Sequence, residues 1–146
     1  MTPVRPELGA LLNAASRGLS TLGDRVLQPL HVTSAQWKVL VVLARQGPCR
    51  VADLVEVLDH DQAAVSRLVG RMEQAGLVER HLDPDDARAG VWRLTRKGRA
   101  TYTRCDERLT EVMGALLAAL SPGEAEQLSE LLTTFTAAVQ RALDEP

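Results

Sequence analysis

Eight consecutive residues, Asp83-Pro84-Asp85-Asp86-Ala87-Arg88-Ala89-Gly90, are dominated by turn-forming types. They interrupt a chain whose apolar pattern is otherwise helical. Proline locks one backbone angle, and aspartate and glycine accept turn geometries that other residues avoid, so no helix continues through this stretch. Before it, Leu77-Val-Glu-Arg-His-Leu82 alternates imperfectly and suits a strand; after it, Val91-Trp-Arg-Leu94 suits a second. Two such runs around a turn pair as a hairpin, expected from about His81 to Thr95.

The helices are read from spacing and caps. Leu8, Leu11, Leu12, Ala15, Leu19, Leu22 and Val26 recur at three and four residues, and Pro29 stops that helix. Thr33-Ser-Ala-Gln36 reads as a capping box, followed by a helix expected to turn Trp37, Leu40, Val41, Leu43 and Ala44 inward and to end at Gly47-Pro48. A short helix holds Val51, Leu54, Val55 and Leu58. Then His60 or Asp61 caps a helix running to about Gln74, with Ala64, Val65, Leu68, Val69 and Met72 inside and Gly76 closing it. Thr95 caps a long helix with Leu109, Val112, Met113, Leu116, Leu117 and Leu120. Ser121-Pro-Gly-Glu124 starts the last, with Leu128, Leu131, Leu132, Phe135, Val139 and Leu143. The fold class expected is mainly α with a small β-hairpin: a winged helix-turn-helix.

At 146 residues the chain suits a single domain, 1–146. No apolar run approaches the roughly 18 residues of a membrane span, and the N-terminus does not read as a signal peptide. Cys49 and Cys105 form no C-x-x-C pair, so a cytoplasmic, reduced protein is expected. The net charge of −2 is unevenly spread: residues 1–60 carry +1, residues 61–104 carry +3, and residues 105–146 carry −6. The basic middle is the region able to meet phosphates. A major groove about 12 Å wide admits one helix. The helix from Asp61 to Gln74 leaves Gln62, Ala63, Ser66, Arg67, Gly70 and Arg71 outward. Gln62 and Arg67 suit base edges, Ala63 a thymine methyl, and Arg71 a phosphate.

The stretch from Asp83 to Thr95 closely resembles the wing signature of the MarR family of transcription regulators, matching at Asp83, Pro84, Asp86, Arg88, Leu94, Thr95 and Gly98. The resemblance extends back through Val65-Ser-Arg-Leu-Val69 and Ala75-Gly-Leu-Val-Glu-Arg80 and covers nearly the whole chain. It implies that Arg88 enters the minor groove, braced by Asp86, and that Thr95, Arg96 and Lys97 hold phosphate where the wing rejoins a helix. Three positions depart from the family pattern: Val55 where a small residue is usual, Asp59 where glycine is common, and Ala87 where arginine is common. Ala87 implies one contact fewer.

The terminal helices have broad apolar stripes and no helical partner in a DNA-reading unit of this size, so a second copy is the simplest cover. The resemblance implies the same. Residues 32–98 would form the DNA-binding lobe, with 1–31 and 99–146 as dimerisation helices. Two recognition helices would then lie about 34 Å apart on a pseudo-palindromic operator. The resemblance also implies a small phenolic or aromatic effector between the dimer helices and the lobe, near Arg17, His31, Trp37, Cys105 and Arg108. No cofactor is expected. His31, His60 and His81 include no i, i+4 pair, so no metal site is expected. The first helix has no cysteine of the kind that peroxide-sensing relatives use, and Cys49, though it could be exposed beside Arg50, is expected to be an ordinary thiol. The chain lacks Gly-x-Ser-x-Gly, a phosphate loop and His-Glu-x-x-His, so it is not read as an enzyme. The function expected is a sequence-specific DNA-binding regulator, a repressor released by its effector. The alternative is a helical dimeric scaffold that binds protein and not DNA.

Overall fold

The computed structural model describes residues 7–58, 60–83, 85 and 90–145. The helices are α1 (Glu7–Leu27), α2 (Ser34–Gln46), α3 (Val51–Leu58), α4 (Gln62–Gln74), α5 (Arg96–Leu117) and α6 (Pro122–Asp144). Strands β1 (Val78–Leu82) and β2 (Gly90–Leu94) form an antiparallel pair. This is the expected helical fold with a hairpin between α4 and α5. Among the described residues, no helix is long and apolar enough to cross a membrane. The chain divides into two compact units, one ending at Leu109 and one beginning at Thr110.

The first unit holds the core: Leu27, Val39, Leu40, Leu54, Val65, Val69, Met72, Val78 and Cys105 are almost wholly buried. The predicted caps set where its helices begin. Thr33 Oγ1 accepts the Gln36 N–H at 3.2 Å, and Gln36 Oε1 accepts the Thr33 N–H at 2.9 Å. The Ser34 hydroxyl donates to the Asp24 carboxylate and ties α1 to the start of α2. Gly47, at φ 84°, ends α2.

The inward face of α2 differs from the reading above. Val39, Leu40, Val42 and Leu43 are buried, Trp37 and Val41 are half-buried, and Ala44 is exposed. A single stripe is the wrong template here, because α2 packs against α1, α3, α4 and β2. A helix enclosed from several sides buries more than one face. Val55 packs on the core at partial burial, so the larger side chain is accommodated.

The hairpin register pairs Val78 with Leu94, Arg80 with Trp92 and Leu82 with Gly90. Alternation puts these pairs on one side of the ribbon, and the burial of Val78, Trp92 and Leu94 makes that side the core side. A third segment joins them. Cys49 N–H donates to the Trp92 carbonyl at 3.1 Å, and Trp92 N–H to the Cys49 carbonyl at 2.8 Å. The hairpin is thus anchored by backbone to the link between α2 and α3.

In the second unit, Ser121 and Glu124 form the predicted capping box of α6, with Ser121 N–H donating to Glu124 Oε2 at 2.8 Å. Those hydrogen bonds hold the Glu124 carboxyl below its usual range. No residue of α6 is buried in the single chain. Leu128, Leu131, Leu132, Phe135 and Val139 form one exposed apolar stripe.

Gly98, at the start of α5, is buried, and a Cβ there would collide with the Leu77 carbonyl oxygen. Gly98→Ala should therefore force α5 away from Leu77 and destabilise the protein by about 1–3 kcal/mol in urea unfolding. An unchanged midpoint would show that this crossing is slack.

Candidate nucleic-acid interface

Helix α4 is placed by its ends and its buried face. Asp61 is its N-cap: the side chain accepts the Ala64 N–H at 2.8 Å, and that bond is the main reason its carboxyl lies below the usual range. At the other end Leu77 N–H donates to the Met72 carbonyl at 2.9 Å and Gly76 N–H to the Glu73 carbonyl at 2.8 Å, with Gly76 left-handed at φ 71°. Val65, Leu68, Val69 and Met72 face the core. Helical geometry then turns Gln62, Ala63, Ser66, Arg67 and Arg71 to solvent, and all five are exposed.

The start of α5 meets the end of α4. The Thr95 hydroxyl donates to the Gly76 carbonyl at 2.6 Å and accepts the Gly98 N–H at 2.9 Å. Lys97 Nζ donates to the Ala75 carbonyl at 2.7 Å. Two residues assigned to phosphate from sequence, Thr95 and Lys97, are therefore engaged within the fold. Arg96 is exposed beside them.

Asp86 and Arg88, and the departures at Asp59 and Ala87, lie outside the described residues. The start of the turn is described. Asp83, buried at 9% exposure, accepts from Arg50 Nε at 2.8 Å and from a second guanidinium nitrogen, and its other oxygen accepts the Asp85 N–H at 2.9 Å. Arg80, cross-strand from Trp92, lies over Gly90, where a Cβ would collide with its guanidinium. Arg50, Gln62, Ser66, Arg80, Gly90 and Trp92 line a cavity of about 440 Å³ between α3, α4 and the hairpin. Sequence reading missed Arg50 and Arg80. Period-two alternation with the buried Trp92 would have placed Arg80; nothing local marks Arg50. On the opposite side of the hairpin Glu79 binds Arg93 at 2.8 Å and His81 at 3.3 Å, which holds its carboxyl low.

The five residues assigned to an effector pocket differ in exposure, and two of them, Cys105 and Arg108, lie one turn apart on α5. Arg17 and Arg108 are exposed, and His31 is exposed in the left-handed region at φ 56°. Trp37 stacks on Tyr102 with centroids 5.4 Å apart, and Cys105 is wholly buried. A second cavity, of about 580 Å³, is lined by Leu43, Ala44, Gly47, Arg93, Arg99 and Tyr102 among others. Neither cavity includes any of the five. Among the described residues, no group of three His, Cys, Asp or Glu is placed to hold a metal ion.

Cys49 is buried, contrary to the exposure allowed for it from sequence, because its backbone pairs with Trp92. Burial, aided by Asp53, pushes its thiol up to about 11, and burial also raises Cys105. Both stay protonated through the neutral range. Iodoacetamide at pH 8 should leave the native chain unlabelled by intact mass and modify both thiols in urea. Rapid native labelling of either would contradict this placement.

A family model described as the MarR family matches residues 31–89. The multiple antibiotic resistance protein MarR of Escherichia coli is 32% identical over 100 residues, covering 68% of this chain and 69% of that protein. A crystal structure of a cysteine-to-serine mutant of MarR from E. coli, complexed with operator DNA, superposes with a TM-score of 0.78 at 29% identity, over 89% of this chain and 94% of that one. The crystal structure of NadR in complex with 4-hydroxyphenylacetate superposes with a TM-score of 0.73 at 25% identity, over 92% and 94%. The extent and identity of the match to the E. coli protein, together with the helix-turn-helix and hairpin described above, show that this chain belongs to the MarR family.

Proposed function

We propose that this protein binds double-stranded DNA sequence-specifically as a homodimer and represses transcription until a small phenolic or aromatic ligand releases it. The observation that carries the reading is the exposed polar face of α4 beside an anchored hairpin. It occurs in a chain similar to one solved with operator DNA. Gln62 and Arg67 would read base edges, Ala63 a thymine methyl and Ser66 a nearby base or phosphate, with Arg71 on a phosphate. Arg88, braced by Asp86, would enter the minor groove. At the start of α5, Arg96 would meet phosphate with its side chain. Thr95 and Lys97 would contribute through the helix end they hold in place.

Dimerisation is supported by the apolar side chains that α1, α5 and α6 leave exposed, such as Leu11, Met113 and Phe135. Such surface is unusual for a monomer. The effector reading draws on the aromatic ligand of NadR. A crevice near Arg17, His31, Trp37 and Arg108 would take it, and Cys105, having no exposed surface, would only back the wall. Release would be a shift between two spacings of the recognition helices.

Binding to the duplex upstream of its own coding sequence, followed across a salt series, tests the reading. Affinity should fall steeply with salt. Arg67→Ala should lose about 1–3 kcal/mol of discrimination at one base pair, and Arg88→Ala should weaken binding throughout. Salt-independent binding, or Arg88→Ala indistinguishable from the parent, would defeat it. Light scattering should give twice the 15.9 kDa chain mass, and a value at the chain mass would reject the dimer.

A further inference from the structure

We propose that Arg50 is the positioning residue of the wing: its guanidinium fork on Asp83 fixes where the chain leaves β1 and enters the turn, and DNA binding depends on that placement. The inference rests on the DNA-binding reading above and adds a residue outside both α4 and the hairpin.

Contacts among the described residues place Arg50. The backbone pairing of Cys49 with Trp92 lays the segment along β2. The Arg50 N–H donates to Asp53 Oδ2 at 2.7 Å, which fixes its backbone at the start of α3. The side chain then reaches Asp83, 33 residues on, with Nε at 2.8 Å and a second nitrogen on the same oxygen. Asp83 directly follows Leu82, the last paired residue of β1. A two-stranded ribbon has little stability of its own, so such an anchor decides its pose. Separating a carboxylate at 9% exposure from a cation that contacts it is costly, so the paired arrangement is favoured over one with the hairpin swung away. Arg50 itself is about half exposed, which limits what the pair adds to global stability. Its effect should therefore show in the hairpin and in DNA affinity far more than in the unfolding midpoint.

The geometry separates this role from a direct phosphate contact. Removing the negative charge of Asp83 beside a DNA-facing surface would, by charge alone, strengthen DNA binding. If Arg50 positions the wing, the same change weakens it.

Three variants decide the matter: Asp83→Asn, which keeps the acceptor for the Asp85 N–H; Arg50→Lys, which keeps the charge and loses the fork; and the two together. Each is measured for binding to the upstream duplex and, without DNA, for amide hydrogen exchange. Asp83→Asn should weaken binding about tenfold. Arg50→Lys should weaken it in the same direction, and the double variant should be no worse than the poorer single. Exchange should quicken in β1 and β2 and stay unchanged in α2 and α4. Equal or tighter binding by Asp83→Asn, or additive losses in the double variant, would overturn the proposal. Unchanged exchange in β1 and β2 would overturn it even if the parent protein fails to bind DNA. That last failure would by itself count against the DNA-binding reading alone.

Discussion

Burial of Val65, Leu68, Val69 and Met72 sets the rotation of α4 about its own axis, and the rest of the candidate interface depends on it. A rotation of one residue, about 100°, would carry Gln62 and Ser66 away from the hairpin side and put charge into the core. The Asp61 cap and the left-handed Gly76 fix where the helix begins and ends, so rotation and length are specified separately. The polar face needs no specification of its own, since it is what the buried stripe leaves over.

That is why α4 was legible in the sequence. A helix with one buried stripe and one wet face writes its orientation into a period of 3.6 residues, and capping residues mark its ends. The capping boxes at Thr33 and Ser121 were legible for the same reason. Helix α2 was harder, because neighbours on several sides erase the contrast between faces, and the expected set that included Ala44 gave way to one with Val39 and Val42.

The remaining differences come from contacts with no period at all. A single backbone bridge between Cys49 and Trp92 leaves no pattern in either segment, yet it buries Cys49 and anchors the hairpin. The Arg50–Asp83 pair joins residues far apart in sequence, and an arginine after a turn looks like any surface charge. Asp86 and Arg88, which carried the family resemblance most strongly, lie outside the described residues. The five residues assigned to a ligand crevice came from resemblance alone, and a crevice between two copies leaves no pattern in one chain's sequence.

The junction that follows α4 carries a steric requirement at the start of α5. Thr95 and Lys97 hold the Gly76 and Ala75 carbonyls just beyond α4, and Gly98 brings α5 against the Leu77 carbonyl with no side chain between. Those contacts seat the beginning of α5 on the three residues that follow α4, Ala75, Gly76 and Leu77. A glycine at the meeting point is what lets the long helix begin so close to the end of the short one.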